Sequence, residues 1–414
     1  MLTSFSTALS ALNAETTAID VVGNNLANLN TTGFKASVVS FHDLVTQSLG
    51  AGLGSTQVGF GVGTPITLRH FSQGAIQASS GPLDAAIQGD GFFVVQGENG
   101  NTAYTRGGNF QVNTSGELTT ATREVLQGWS INNGVLNTNL PIGPITVPVG
   151  SLAPPVATAT TSVDLNLNAA ATGGPPPDTF STSVQVYDSL GISHIVTFTF
   201  TKTTTANQWT FSAGFPAADT TAPGTPATGT LTFDQNGQLT SPAAGSAPPV
   251  ITATGLVDGA ADMNVTWNLF AGTTPRITQF AQPSATSAVA QDGSAAANLV
   301  SVGLADGGQV LARYSNGQQV VVGQVAMATI RNPESLIAVG NNNYQTSALS
   351  ALPALGVPGT GGRGTVLGGS IEASTVDIAK EFTNLIVFQR AYEASAKVIT
   401  AVDQLTVATI ALKQ

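Results

Sequence analysis

The sequence predicts a mixed, mainly β protein in which paired N- and C-terminal α-helices form an inner coiled-coil layer. Outer antiparallel β domains are inserted between these helices in series. Near both ends of the chain, apolar residues recur at steps of three and four, which is the spacing of one helix face. Between residues 90 and 330, apolar and polar residues alternate, and many alternating runs end in Asn-Gly or Asp-Gly. This combination is typical of short antiparallel strands joined by tight turns.

The first helix is predicted within residues 1–30. Its apolar positions follow a heptad pattern that has two weak positions, Thr16 and Gly23. A heptad stripe must be covered by another helix, so we expect the strong positions to lie at helix contacts. These positions are Phe5, Leu9, Leu12, Ile19 and Leu26.

The C-terminal helix has a more regular pattern, because no Gly or Pro interrupts residues 373–412. A helix of that length spans roughly 60 Å, and the N-terminal helix is the obvious partner for its apolar stripe. Two helices make a thin core, so we expect helices from other copies to complete it. Burial in an ordinary monomeric core fits the periodicity equally well. The expected contact residues are Ile378, Phe382, Leu385, Tyr392, Val398, Ile399, Leu405 and Leu412. The family resemblance given below adds Gln389 and Arg390.

The middle of the chain divides at stretches rich in Pro, Gly, Ala and Thr, which are typical of loops and domain boundaries. Alternating runs such as Val196, Phe198 and Phe200 lie between these stretches and predict strands. The predicted parts are an inner helical polymerisation domain (1–30 and 371–414), a linker segment with extended or hairpin structure (31–70), a split β domain (71–148 and 283–370) and an inserted outer β-sandwich or barrel (149–282).

The composition excludes several classes of function. The chain carries 13 Lys and Arg against 23 Asp and Glu, and this acidic balance disfavours binding to nucleic acid or anionic lipid. There is no cysteine, which excludes thiol catalysis and Cys-based metal sites. No run approaches the roughly 18 apolar residues of a membrane span. No Lys or Arg precedes Lys35, so the basic region of a cleavable signal peptide is missing. We therefore expect a soluble protein without membrane insertion.

No sequence pattern indicates a catalytic, cofactor or metal site. The three histidines, His42, His70 and His194, lack metal-ligand spacing. His194 lies in an alternating strand, and we expect it to face solvent. The GxGxxG match at residues 359–364 has no strand directly before it and no helix after it, which favours a flexible linker. We predict that the protein is not an enzyme and needs no cofactor.

The exit from the first helix carries the most specific motif. Residues 23–35 read GNNLANLNTTGFK, which resembles the NNLAN…TxGFK signature of flagellar rod, hook and hook-associated proteins. Residues 81–95 and 376–394 resemble two further segments of this family, although Thr375 stands where the family usually has Asn. The asparagine amides can cap backbone groups or bind a neighbouring subunit, and Gly33 permits a backbone conformation that other residues resist. The motif residues expected at subunit contacts are Asn24, Asn25, Leu26, Asn28, Thr31, Gly33 and Phe34.

This resemblance implies a subunit of a homopolymeric, helical extracellular tube. In the family the paired terminal helices line the channel, the segment corresponding to residues 31–70 links neighbours, and the β domains point outward. The implied partners are the distal rod protein below, the hook–filament junction protein above, the hook cap during assembly and the flagellar export apparatus. Export by the flagellar type III route, with an uncleaved N-terminal signal, is consistent with the missing signal peptide.

Within this family, length separates the subunits. Rod subunits are typically much shorter, whereas this chain has an insertion that contains residues 186–191, VYDSLG, similar to hook subunits. The resemblance therefore implies a hook subunit that forms a curved universal joint and transmits torque from the rod to the filament. A distal rod subunit is the alternative within the family. A surface enzyme or carbohydrate-binding β protein is the alternative from another class.

Overall fold

A computed structural model describes residues 2–44, 46–49, 56–131, 136–221 and 225–411. The chain forms two compact units. The first contains Met1–Val149, Ser301–Arg313 and Gln319–Gln414, and the second contains Gly150–Val300 and Tyr314–Gln318. The second unit is thus an insertion in the sequence of the first.

The helices are α1 (Leu2–Ala27) and α2 (Ile378–Ala411). The strands before the second unit are β1 (Ser37–Ser40), β2 (Thr46–Leu49), β3 (Thr56–Gly59), β4 (Ile66–Arg69), β5 (Ile76–Ala78), β6 (Ala85–Gln88), β7 (Phe92–Gln96), β8 (Thr102–Thr105), β9 (Phe110–Val112), β10 (Leu118–Thr120), β11 (Val125–Ser130) and β12 (Gly143–Pro144). The strands that begin in the second unit are β13 (Leu152–Ala153), β14 (Thr160–Asn168), β15 (Thr179–Tyr187), β16 (Ser193–Lys202), β17 (Gln208–Gly214), β18 (Ala227–Phe233), β19 (Leu239–Ser241), β20 (Val250–Ala253), β21 (Met263–Trp267), β22 (Phe270–Ala271), β23 (Thr274–Pro275), β24 (Ile277–Phe280), β25 (Ala285–Gln291) and β26 (Ala297–Leu304). The remaining strands are β27 (Gln309–Tyr314), β28 (Gln319–Val325), β29 (Met327–Thr329), β30 (Ile337–Gly340), β31 (Asn343–Gln345), β32 (Ala354–Gly356), β33 (Thr365–Gly368) and β34 (Ser370–Glu372).

The two helices pack against each other in the first unit, as the sequence predicted. The backbone N–H of Gly33, after α1, donates to the carbonyl of Glu372, before α2, at 2.8 Å. The end of α1 therefore meets the start of α2, and the helices run antiparallel. Asp377 begins α2, because its carboxylate accepts the backbone N–H of Ala379 at 2.8 Å. In the described chain, no helix is long and apolar enough to cross a membrane.

The β region of the first unit is organised around β7, in which Phe92, Phe93, Val94 and Val95 are all buried. β7 pairs in antiparallel register with β8, β11 and β29. Strands from before and after the insertion therefore share one sheet. Ahead of this sheet, within residues 31–70, β1 pairs with β4 and β2 pairs with β3, both antiparallel.

The second unit is a sandwich of two five-stranded sheets. β15 to β19 form an antiparallel meander, and the other sheet contains β14, β20, β21, β24 and β25. Inward side chains of both sheets, including Phe198, Phe211 and Trp267, belong to one apolar cluster. The sheets therefore pack face to face, with a buried aromatic centre.

Two details of the second unit differ from the sequence prediction. β14 pairs in parallel with β21 and β24, although its pairing with β25 and most other ladders are antiparallel. The unit also extends to residue 300 rather than ending at residue 282. The reason is β25, which pairs with β14 and brings the following residues into the sandwich.

Candidate assembly surface and polar clusters

The paired helices leave many large apolar side chains exposed, on more than one face of α2. On α1, Phe5 and Leu9 are 43% and 44% exposed, and on α2, Phe382 and Leu405 are 52% and 59% exposed. Monomeric proteins rarely leave so many large apolar side chains uncovered in one region. We call this set the seam: Phe5, Leu9, Ile378, Phe382, Ile386, Val387, Tyr392, Val398, Leu405, Val407 and Ile410.

Most of the predicted helix positions lie on or beside the seam. The predicted positions that are half-buried are Leu12, Ile19, Leu26, Leu385 and Ile399. Gln389 and Arg390 are exposed on α2, where Arg390 pairs with Glu393 at 3.0 Å. Leu412 lies outside the described residues.

One chain covers the heptad positions of α1 only in part: Leu12, Ile19 and Leu26 are half-buried, whereas Phe5 and Leu9 are exposed. The α1 residues buried in the first unit are instead Ala8, Ala14, Ala18 and Val22. Small side chains let a neighbouring element approach the helix backbone closely. The larger heptad residues are left at the outside, which argues against burial in a monomeric core.

The helix exit motif fixes the chain after α1 through side-chain amides. The Asn25 amide donates to the carbonyl of Ser37 at 2.8 Å, and its oxygen accepts the Ser37 N–H at 3.0 Å. Asn25 therefore docks β1 onto α1 from a buried position. The Asn28 amide binds the backbone carbonyl and side-chain oxygen of Asn24, and the Thr31 hydroxyl donates to the Asn28 side chain. These motif residues thus bind their own chain.

Gly33 and Phe34 complete the turn that joins the two chain ends. Gly33 has a φ of +69°, and a Cβ there would lie 2.5 Å from the carbonyl carbon of Arg106. Both facts require glycine at this position, as the sequence predicted. Phe34 is buried, and its carbonyl accepts the N–H of Thr375 at 3.1 Å. Thr375, the departure from the family pattern, also accepts the N–H of Ala36 at 2.9 Å through its hydroxyl.

A buried charge cluster that no sequence pattern predicts lies beneath this turn. The Glu372 carboxylate is fully buried and contacts the Lys35 ammonium at 2.6 Å and the Arg106 guanidinium at 3.2 Å. It also accepts the N–H of Gly74 at 2.7 Å. The Lys35 ammonium donates a second bond to the carbonyl of Ser72 at 2.6 Å. Burial lowers the pKa of Lys35, and the Glu372 carboxylate opposes that shift. The cluster joins the exit of α1, the β region and the entry to α2.

A second polar cluster corrects the expectation for His194. The imidazole is 7% exposed, because His194 shares the inward face of β16 with Val196 and Phe198. Its Nε2 lies 3.2 Å from Asp188 and 3.1 Å from Asp258, and its Nδ1 lies 3.1 Å from Asp219. Burial opposes a charged ring, but the hydrogen bonds to Asp188 and Asp219 outweigh it and raise the pKa of His194. The alternation along β16 was the signal that the sequence analysis missed.

Four segments of the chain match families of flagellar proteins. The matched families are flagella basal body rod protein (residues 5–35), flagellar hook protein FlgE/F/G D1 domain (86–166), flagellar basal body protein FlaE D2 domain (162–294) and flagellar basal body rod FlgEFG protein C-terminal (367–412). The matches include α1 with its exit, both β regions and α2. The similarity therefore extends over the parts that build the seam and both polar clusters.

Full-length relatives and a solved structure are also similar to this chain. The chain is 34% identical to the flagellar hook protein FlgE of Salmonella typhimurium, over 97% of this chain and 98% of that protein. It is 32% identical to the flagellar hook protein FlgE of Treponema pallidum, over 100% of both. A crystal structure of the Helicobacter pylori flagellar hook protein FlgE2 covers 70% of this chain and 99% of that chain, with a TM-score of 0.53 and 15% identity. That structure shows a shared fold.

Proposed function

The chain belongs to the flagellar hook protein family and is a structural subunit of the hook, and we propose that its copies assemble through the seam. The observation that carries this proposal is the set of large apolar side chains, such as Phe382 and Leu405, that α1 and α2 leave exposed. Because these side chains are already about half covered, burying the remainder of one contributes about 1 kcal/mol. Repeated along two helices, this gain is large enough to drive association.

The proposed assembly is a hollow helical tube. The seam differs from the remainder of the first unit, so a contact that buries it on one copy leaves a different surface for the next. Such head-to-tail contacts generate an open helical filament when the rotation between copies does not close a ring. We place the seam at the inner layer of the tube. Residues 31–70 would lie at the contact with neighbouring subunits, and the motif residues after α1 would hold this segment in position.

We further propose that the second unit supplies weak, replaceable contacts that let the tube bend as a universal joint. The outward face of its meander carries hydroxyl side chains and no charge at these positions: Thr197, Thr199, Thr201, Thr210, Ser212, Thr228 and Thr230. Polar contacts of this kind exchange with water at little net cost in free energy. Neighbouring subunits could therefore slide past one another while the inner helices hold the tube together.

The specific partners and the export route belong to the same proposal. The distal rod protein would lie below the tube and the hook–filament junction protein above it, with a cap present during assembly. The subunit would leave the cell through the flagellar export apparatus without cleavage of its N-terminus. In this role the protein is not an enzyme, and neither the seam nor the buried charge cluster requires a reacting substrate.

Electron microscopy of basal bodies tests the assignment and the seam together. A strain that lacks the gene should have a complete rod with no hook beyond it. We expect wild-type protein to restore hooks, and Phe382→Ser to be exported but to give few or short hooks. Thr383→Ser, at the next exposed position of α2, is the matched control and should restore normal hooks. Loss of the distal rod in the deletion strain, or normal hooks from Phe382→Ser, would contradict the proposal.

A further inference from the structure

The cluster around His194 has the arrangement of a metal site, and it plays no part in the assembly proposed above. Four segments of the second unit bring it together. Asp188 follows β15, His194 lies in β16, Asp219 follows β17 and Asp258 lies in the turn after β20. One nitrogen of His194 and one oxygen each of Asp188 and Asp258 lie within 4.8 Å of one another.

We propose that Asp188, His194 and Asp258 bind one divalent transition-metal ion, with Zn²⁺ the best match to the ligand set. Zinc binds histidine nitrogen and aspartate oxygen at about 2.0–2.1 Å, so neighbouring ligand atoms of a tetrahedral site lie about 3.3 Å apart. The imidazole Nε2 lies 3.2 Å from the Asp188 oxygen and 3.1 Å from the Asp258 oxygen. These spacings admit the ion after only small shifts of the side chains. Three protein ligands leave at least one coordination position for water.

The atoms behind the ligands hold them in a binding orientation. The second oxygen of Asp188 accepts the backbone N–H groups of Leu190 and Ile192, each at 2.8 Å. The second oxygen of Asp258 accepts the N–H of Ala260 at 3.0 Å. In each carboxylate the remaining oxygen is therefore directed at the imidazole.

Asp219 occupies the position of an outer carboxylate. Its oxygen lies 3.1 Å from the Nδ1 of His194, on the opposite side of the ring from the proposed ion. A proton on Nδ1 that is held by a carboxylate leaves the lone pair of Nε2 free for a metal. Carboxylate, histidine and metal in this order are a recurring arrangement in zinc sites.

A proton on the Nε2 of His194 does not satisfy both of the aspartate oxygens that face it. A protonated Nε2 makes a hydrogen bond of acceptable geometry to Asp188, so the same proton is not directed at the Asp258 oxygen that lies 3.1 Å away. A buried carboxylate oxygen without a donor is costly. An imidazolium also leaves two of the three aspartate charges unbalanced, whereas a divalent ion with a neutral ring leaves one. The Asp258 side chain is 18% exposed, which gives an ion access from solvent.

Calorimetric titration of the full chain with ZnCl₂, after treatment with EDTA and dialysis, tests the proposal. We expect one saturable site, which Asp258→Asn and His194→Gln weaken at least about tenfold, and Asp219→Asn about 10–100-fold. Asp262→Asn is the matched control, because Asp262 lies in the same loop and its carboxylate binds the N–H of Gly255 instead. This control should bind Zn²⁺ like the wild-type chain. The absence of a saturable site in the folded wild-type chain, or unchanged binding by Asp258→Asn, would overturn the proposal.

A second measurement does not depend on the folding of the variants. The ring protons of His42, His70 and His194 can be followed by NMR in the wild-type chain while ZnCl₂ is added. We expect the signals of His194 to shift and those of the other two histidines to stay in place. Shifts confined to His42 or His70 would place the bound ion elsewhere and overturn the proposal.

Discussion

At the scale of single residues, charge in this chain is scarce, and three charged side chains meet where segments of the first unit are joined. Only 9% of residues are charged, yet Lys35, Arg106 and Glu372 meet in one buried cluster. Burying ions costs several kcal/mol each in lost hydration, so each buried ion needs partners of good geometry. The cluster supplies them, and this is consistent with a role in fixing how α1, the β region and α2 meet.

Removing one member of this cluster should destabilise the first unit strongly. Lys35→Met leaves the Ser72 carbonyl without its donor and Glu372 with Arg106 as its remaining cation. We expect a loss of about 3 kcal/mol in the free energy of unfolding, because one partner of a buried ion pair is lost. Urea unfolding of the purified monomer measures it. Arg331→Met, an exposed position in the β region of the first unit, is the control and should change the free energy by no more than about 0.5 kcal/mol. Equal stability of the two variants would contradict the role of the cluster.

Sequence reasoning reached some of these residues and not others for physical reasons. The need for glycine at Gly33 followed from its place in a turn. His194 was placed wrongly in solvent, although it shares its parity on β16 with Val196 and Phe198. Asp258 was considered only as part of an Asp-Gly turn, and it contacts a histidine 64 positions earlier in the chain. A local sequence pattern predicts turns and strands, but it does not predict which distant loops lie next to each other.

At the scale of elements, the helices show why periodicity alone did not assign their faces. The heptad pattern of α1 marked Phe5 and Leu9, while the buried contact uses Ala8, Ala14, Ala18 and Val22. Alanine contributes little to a hydrophobic pattern in a sequence, but its small side chain allows close packing in a structure. The larger residues remain outside, so one helix carries two apolar faces. The pairing of the helices was predictable, and the choice of face was not.

This division predicts that the terminal helices are unstable in a single subunit. A helix whose larger apolar face lacks a partner gains little from tertiary packing, so we expect α1 and α2 to be largely unfolded in dilute monomer. Limited proteolysis should remove both ends from the monomer and leave them intact in assembled hooks. The second unit serves as an internal control, because its sandwich core is complete within one chain. Protease-resistant ends in dilute monomer would argue against this account.

At the scale of the whole molecule, the apolar surface proposed to hold copies together and the polar surface proposed to make weak contacts belong to different units. The first unit carries the seam, and the second unit carries a buried aromatic core beneath a hydroxyl-rich face. Both features suit the proposed assembly, in which the inner helices hold the tube together and the outer contacts let it bend. The order of helix, β domains and helix could be predicted from the composition and from the spacing of apolar residues. The edge at residue 300 was not, because it depends on the pairing of β25 with β14.

The most direct test of the central claim is the accessibility of the seam before and after assembly. The chain has no cysteine, so Leu405→Cys introduces a single thiol whose reaction with a maleimide can be followed in monomer and in purified hooks. Thr204→Cys, an exposed position in the second unit, is the control. The account predicts that Leu405→Cys reacts readily in the monomer and much more slowly in hooks, whereas Thr204→Cys reacts in both. Equal reactivity of Leu405→Cys in monomer and hook would contradict assembly through the seam.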